Sequence, residues 1–349
     1  MIDPIALLKD LIAIPSISRE EAARAGFLEN WLRKAGFSPC RVGNNLYLWA
    51  QPPVADKPTL MLNAHIDTVR PNPSWTQDPF TPCERDGRIY GLGANDDLAS
   101  VVSLLCAFDQ LRRQPQSYNL LLAYSCEEEV SGKGGMELLL QHLPPIRFAV
   151  VGEPTGMRLA VAEKGLMVLD CTTRGKAGHA ARDEGDNAIY KAMADIQWLS
   201  AYRFPKVSGT LGPVKLSVTM VNAGTQHNVV PDTCHYVVDV RLNEHYTHQE
   251  VLEVLHSHLQ AEVAPRSMRL RPSGIGQDHP FVQACLAQGI ACFGSSTLSD
   301  QALMPFDSVK IGPGDSARSH TADEFVGIGE VLQAVPCYVS LLDGLILHK

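Results

Sequence analysis

Apolar and polar residues along this chain switch repeatedly between a period near 3.6 and a period of two or less. Asp3 followed by Pro4 reads as an N-cap with proline at the first helical position. Ser18-x-x-Glu21 has the form of a capping box that opens a helix stopped by Gly36. Strand-like runs follow at 45–49 and 59–63, the second leading straight into His65-Ile66-Asp67. Residues 99–111 carry helical periodicity, 119–124 form a short apolar run that ends on the triplet Glu127-Glu128-Glu129, 134–142 look helical, and 148–151 form another buried strand that ends at Glu153. Strands alternating with helices predict an α/β domain whose parallel or mixed sheet is covered on both faces.

The pattern changes at about Lys164. Residues 166–172, 214–221 and 235–242 are strand-like, and 186–199 are helical. Thr247-x-x-Glu250 is a second capping box, expected to open a helix running towards Ala264, with a last strand at 268–270. This β-α-β-β-α-β order suits a small ferredoxin-like sandwich. After Pro272-Ser273-Gly274 the α/β character returns and closes with a helical tail over 325–347, in which Pro336 is expected to introduce a kink. The division expected is a discontinuous domain of residues 1–163 and 275–349, interrupted by an inserted domain at 164–274.

A length of 349 residues accommodates two such domains. The net charge of −8 gives no electrostatic support to a nucleic-acid or anionic-membrane partner. No apolar run reaches the roughly 18–20 residues that span a bilayer. The first residues lack a basic stretch and carry an early acid, so a signal peptide is not expected. Nine cysteines without a C-x-x-C pair read as free thiols, several of them buried, in a reducing cytoplasm.

Candidate chemistry gathers where apolar strands end. His65, Glu128–Glu129 and Glu153 each follow such an end, and in open α/β sheets ligands collect at the carboxyl ends of strands. Asp96-Asp97 and His320 complete the set. Taken singly, each has a plain structural reading: a surface histidine, a solvated acidic face, or turn and cap chemistry at Gly91–Asp97. Together they form a cluster of acids that would repel itself unless cations were bound. Two histidines and three carboxylates suffice for two divalent ions if one carboxylate bridges them.

The ordered motifs resemble the M20 family of metallopeptidases and deacylases. They are Asn63-Ala64-His65-Ile66-Asp67-Thr68-Val69, Gly91–Asp97, Glu127–Glu129 with Gly132, Gly152-Glu153-Pro154-Thr155, Gly178-His179, Asn228-Val229-Val230-Pro231-Asp232 and Ser319-His320-Thr321-Ala322-Asp323-Glu324. The resemblance implies a mixed-sheet zinc-peptidase domain with an inserted lid through which many members dimerise. It implies two Zn2+ per chain, with Co2+ or Mn2+ as alternatives: His65 and Glu153 on one ion, Glu129 and His320 on the other, Asp96 bridging, and a cis Asp96–Asp97 bond. Glu128 matches the general base, and Asp67 matches the acid that supports the metal site. Glu127 stands where such members usually carry Asp. His179 matches a histidine contributed across the dimer to the oxyanion site, with Asn228 beside it. Arg241, Gly312 and Gly314 match positions that contact the substrate carboxylate. Arg318, next in sequence to the His320 motif, is a candidate for the acyl pocket.

The expected activity is hydrolysis of the amide bond of an N-acyl-L-amino acid. The chain length, Gly152–Thr155 and Ala162-Glu163-Lys164-Gly165 resemble the acetylornithine deacetylase and desuccinylase branch. N-acetyl- or N-succinyl-L-ornithine, in arginine biosynthesis, is therefore the first expectation. Succinyl-diaminopimelate desuccinylase and N-acetylcitrulline deacetylase are the alternatives, followed by a dipeptidase or carboxypeptidase and by a non-enzymatic scaffold. A serine hydrolase is disfavoured, since there is no G-x-S-x-G elbow.

Overall fold

The structure is a computed structural model that describes residues 2–347. The chain folds into two compact units: Met1–Val161, Gly274–Phe293 and Ser299–Lys349 form the first, and Ala162–Ser273 with Gly294–Leu298 the second.

The first unit is built on a mixed sheet. Four parallel neighbours make its centre, in the order Asn119–Ser125, Thr59–His65, Phe148–Val151 and Asp307–Lys310. Asn45–Trp49 and Cys40–Val42 extend one side antiparallel, and Leu159–Glu163 pairs antiparallel on the other. The central strands are almost wholly apolar because both faces are covered. Alternation still sorts the side chains. Leu60, Leu62, Leu120, Leu122, Phe148 and Val150 join the core beneath the helices Pro4–Ile12, Ala22–Lys34, Ala99–Leu111 and Ile328–Leu342. Met61, Leu121, Ala123, Ala149 and Val151 pack on the opposite face against Met136, Leu139 and Met304.

Local signals place several ends as expected. The Asp3 carboxylate accepts from the amides of Ile5 and Ala6, and Gly36, at φ 86°, follows the helix that ends at Lys34. The capping box expected at Ser18 is not formed. Arg19 adopts a left-handed φ of 74°, which breaks the path between Ser18 and the helix start at Ala22. The Ser18 hydroxyl instead donates to Asp67 at 2.7 Å, while Glu21 accepts from the amides of Arg19 and Glu127 at 2.6 and 3.1 Å. The final helix continues through Pro336 to Leu342.

The second unit is a four-stranded antiparallel sheet in the order Lys215–Ala223, Thr233–Leu242, Gly165–Arg174, Glu262–Pro265. The helices Ala188–Ala201 and His248–His258 contribute Ala188, Ala192, Leu199, Val251 and Leu255 to the core over one of its faces. The order of elements is β-α-β-β-α-β, the ferredoxin-like arrangement. The Thr247–Glu250 capping box is present. The expected strand at 268–270 is displaced to Glu262–Pro265, and the preceding helix ends at His258 rather than near Ala264. Asp195 is the physical reason: its carboxylate takes the amides of Gln260 and Ala261 at 2.9 and 3.0 Å, diverting the chain from helix to strand.

Candidate metal centre

Register brings distant residues to one edge of the central sheet. His65 lies opposite Ser125, Asn63 opposite Val151, and Val151 opposite Lys310. The four parallel strands therefore release their chains at the same edge. There the sequence carries His65–Asp67, Glu127–Glu129, Glu153 and Gly312–Gly314.

The imidazoles flank Asp96. His65 Nε2 is 3.1 Å from Asp96 Oδ1, and His320 Nε2 is 3.8 Å from Asp96 Oδ2 and 2.9 Å from Glu129 Oε2. His65, Asp96 and Glu129 each present a ligand atom, all within 4.8 Å of one another. Glu128 Oε2 stands 4.0 Å from His65 Nε2. Glu153 is buried just beyond its strand, close enough that its charge raises the acids of Asp97 and Glu128. The Asp96–Asp97 peptide is cis.

Asp67 organises two of these groups. It lies beside His65, whose Nδ1 is 3.0 Å from the Asp67 carbonyl and 3.5 Å from its carboxylate. The same carboxylate accepts from the amides of Glu128 and Glu129 at 3.0 and 3.2 Å. Glu127 points elsewhere. Its carboxylate accepts the Gly134 amide at 3.1 Å and fills space that side chains at Gly132 and Gly134 would occupy. Glu127 and Ser131 take left-handed φ values of 55° and 45° on either side of the short turn Glu128–Val130, and His320 takes 61°. Such conformations are costly for non-glycine residues and persist where their surroundings dictate them.

Two further residues stabilise the centre, and sequence reasoning assigned them no role although both lie inside its motifs. Glu324 is buried and accepts from the amides of Gly93, Asn95 and Asp96 at 3.0, 2.8 and 2.9 Å, fixing the loop that presents Asp96. The Asn95 side chain donates to the Asp315 carbonyl and Ser319 Oγ and accepts from the Asp315 amide, tying that loop to the segment that carries His320.

The substrate-side expectations fare unevenly. The Gly312 amide donates to Thr155 Oγ1 at 3.0 Å, so that amide is already committed and is not an open carboxylate donor. Space is what requires glycine there, since a Cβ would lie 2.5 Å from the Glu153 carbonyl. Gly314 has φ 90°, and a side chain on it would collide with Asn95. Arg318 pairs with Glu330 at 2.7 Å and lies over the Phe325 ring, so it would have to leave that pair to reach an acyl group. In the second unit, Arg241 makes a two-point pair with Asp239, with 2.9 and 3.1 Å contacts, on the sheet face away from the helices. A two-residue ribbon joins Gly178–His179 to Val229–Val230, which brings His179 next to Asn228. The Ala181 amide donates to His179 Nδ1 at 3.1 Å, placing the proton of the neutral ring on the exposed Nε2.

The electrostatics fit bound cations. Burial would lower His65, but the carboxylates of Asp67 and Asp96 outweigh it and hold the imidazole well above its usual range. Burial pushes Glu128 up strongly, with Glu153, Glu129 and Asp300 adding to the effect against the pull of His65. His320 is raised to about 9 by its bond to Glu129. Asp97 is pushed up by burial, and its Oδ1 is buried without a hydrogen-bond partner. Imidazole and carboxylate donors crowded in this way match the ligand chemistry of zinc and related divalent ions.

Comparison with known proteins agrees with this chemistry. Residues 61–344 match the model of peptidase family M20/M25/M40. A succinyl-diaminopimelate desuccinylase from Cereibacter sphaeroides is 30% identical over 282 residues, 75% of this chain and 73% of that protein. Another from Parvibaculum lavamentivorans is 28% identical, covering 98% of this chain and 95% of its own length. A dinuclear metal-binding M20 peptidase from Bacillus subtilis has the same fold, with a TM-score of 0.72 at 18% identity over 97% of this chain and 96% of the other. Among the described residues no helix is long and apolar enough to cross a membrane. The chain belongs to peptidase family M20/M25/M40 and is a metal-dependent amidohydrolase.

Proposed function

We propose that the chain hydrolyses the amide bond of an N-acyl amino acid at a two-metal centre. The observation that carries this reading is the position of Asp96, whose two oxygens face different histidines, His65 and His320. A carboxylate so placed suits a bridge, with Glu153 completing one site and Glu129 the other. These residues would hold two divalent ions, and the chemistry supplied there would be Lewis acidity.

The remaining chemistry belongs to side chains of this protein. Glu128 takes a proton from the water and delivers it to the departing amine. Its raised affinity for a proton suits the second step, and the turn fixed by Asp67 holds it beside His65. His179 Nε2–H and the Asn228 side chain donate to the oxyanion. We place them in the partner's site, because the second unit has features of an interface. Lys215–Ala223 is an edge strand with Met220 and Val221 exposed, and Tyr190 and Met193 are exposed on the helix Ala188–Ala201. A second copy of this chain is the partner such a surface suits.

Within the class, the relatives favour an N-succinyl diamino acid of the diaminopimelate type over the N-acyl-L-ornithine ranked first from the sequence. Their names lend no support to a role in arginine biosynthesis. The test is kcat/KM for N-succinyl-diaminopimelate, N-succinyl- and N-acetyl-L-ornithine, N-acetyl-L-citrulline and a neutral dipeptide with zinc-loaded protein. The diaminopimelate compound should lead by at least about tenfold, roughly 1.4 kcal/mol of transition-state preference. A leading dipeptide would move the chain to the peptidases of its family, and a leading ornithine compound would restore the first expectation.

A further inference from the structure

Arg24 has no role in the chemistry above, yet it is completely buried, at 0% exposure, on the helix Ala22–Lys34. Its fork makes three hydrogen bonds, all to backbone carbonyls. Nε and Nη2 donate to Ile14 at 3.1 and 2.8 Å, and Nη1 donates to Ile66 at 2.8 Å. Among the described residues no carboxylate stands within ion-pair distance of it. Burying an unpaired cation is expensive, and an apolar residue of similar size would ordinarily be more stable. Burial pulls the guanidinium down to about 9, and the charges that oppose this are those of Asp67 and Glu324. Both carboxylates hold parts of the metal centre.

Ile66 separates His65 from Asp67, and both of its backbone groups are fixed. Its amide donates to the Ser125 carbonyl at 2.8 Å, and its carbonyl receives Arg24. The neighbouring chain continues the brace. The Thr68 amide donates to the Ser16 carbonyl at 2.9 Å, the Ser18 amide donates to the Thr68 carbonyl at 3.1 Å, and the Ser18 hydroxyl reaches Asp67. The segment 14–18 therefore lies along 66–68, and Arg24 closes its far end at Ile14.

We propose that Arg24 is a positioning residue for the metal centre: it ties the Ile14 and Ile66 carbonyls together, sets the presentation of His65 against Asp67, and supplies a fixed counter-charge to the acids around them. The proposal rests on the two-metal reading. Lysine does not reproduce the fork, because its three N–H donors diverge from one nitrogen, whereas Arg24 reaches the Ile14 and Ile66 carbonyls from different nitrogens. An apolar residue would leave both carbonyls buried without donors.

The test is Co2+ binding to metal-free wild type, Arg24→Lys and Arg24→Gln, followed by visible absorbance and by chelator competition, with thermal melts of each protein. Leu28→Ala, a core truncation on the same helix, controls for lost stability. The folded Arg24 variants should bind Co2+ at least about tenfold more weakly, with a changed spectrum, as expected when a ligand's support is lost. Their kcat should fall with KM nearly unchanged, whereas Leu28→Ala should lower Tm and leave the Co2+ spectrum alone. Arg24 variants that lose Tm but keep wild-type Co2+ affinity and spectrum overturn the proposal, as do variants that fail to fold altogether. A wild-type chain that binds no Co2+ removes the metal centre itself, and the positioning role with it.

Discussion

The carboxylate of Asp67 accepts the backbone amide of Glu128 at 3.0 Å while standing beside the imidazole of His65. One side chain thus couples a candidate ligand to the proposed base. Asp67→Asn would replace one of the two oxygens that accept the Glu128 and Glu129 amides by an NH2 group, so the turn that carries both glutamates should move. Metal affinity is expected to fall about 10- to 100-fold, the usual cost of losing an outer partner, with a further loss in kcat at saturating metal. Chelator competition and steady-state kinetics measure the two losses separately. Wild-type values in both would remove Asp67 from the mechanism.

Arg318 separates two readings of the acyl site. Its pair with Glu330 and its stacking on Phe325 predict that Arg318→Ala lowers kcat/KM equally for succinyl and acetyl substrates. A loss confined to the succinyl substrate would show that the guanidinium leaves Glu330 to bind the acyl carboxylate.

Much of the site was legible because it follows from local pattern. The apolar strands Thr59–His65 and Phe148–Val151 mark their own ends, and chemistry placed just beyond an end converges once the strands lie parallel. Roles set by three-dimensional partners were not legible. Ser18 and Glu21 have capping-box spacing, but tertiary contacts draw one to Asp67 and the other to Glu127. Gly312 resembles an anion-binding amide until Thr155 is seen to occupy it. Glu324 is one acid among many in the sequence, and only the folded loop gives it three amides. The strand after His248–His258 was misplaced because the turn depends on Asp195, some 65 residues earlier.

Subunit exchange tests the placement of His179. His179→Ala and Glu128→Gln should each be inactive, and mixing them should restore partial activity, since one site of each hybrid dimer would be intact. Inactivity of the mixed sample after demonstrated exchange would place His179 in its own subunit's site. A fully active monomer in sedimentation would exclude any action across subunits.

The capping box of the inserted unit gives a pH signature. The Thr247 amide and hydroxyl, with Lys206, hold Glu250 down at about 2 against an ordinary 4.5. A depressed carboxylate stabilises the fold above its unfolded value and loses that contribution as pH falls towards its folded value. Wild type should therefore exceed Glu250→Gln in urea stability by a constant margin from about pH 8 to 6, and the margin should shrink below about 4.5. A margin independent of pH down to about 3.5 would show that the charge contributes nothing.

Glu128 tests the whole account most directly. Zinc-loaded wild type and Glu128→Gln should both carry two metal ions per chain by elemental analysis. Release of free amine from N-succinyl-diaminopimelate should fall by at least about 10³-fold in the variant, within the range that a positioned acid–base group contributes, while Glu127→Gln stays near wild type. Near-normal turnover by Glu128→Gln, or a wild-type chain holding no metal after zinc addition, would contradict it.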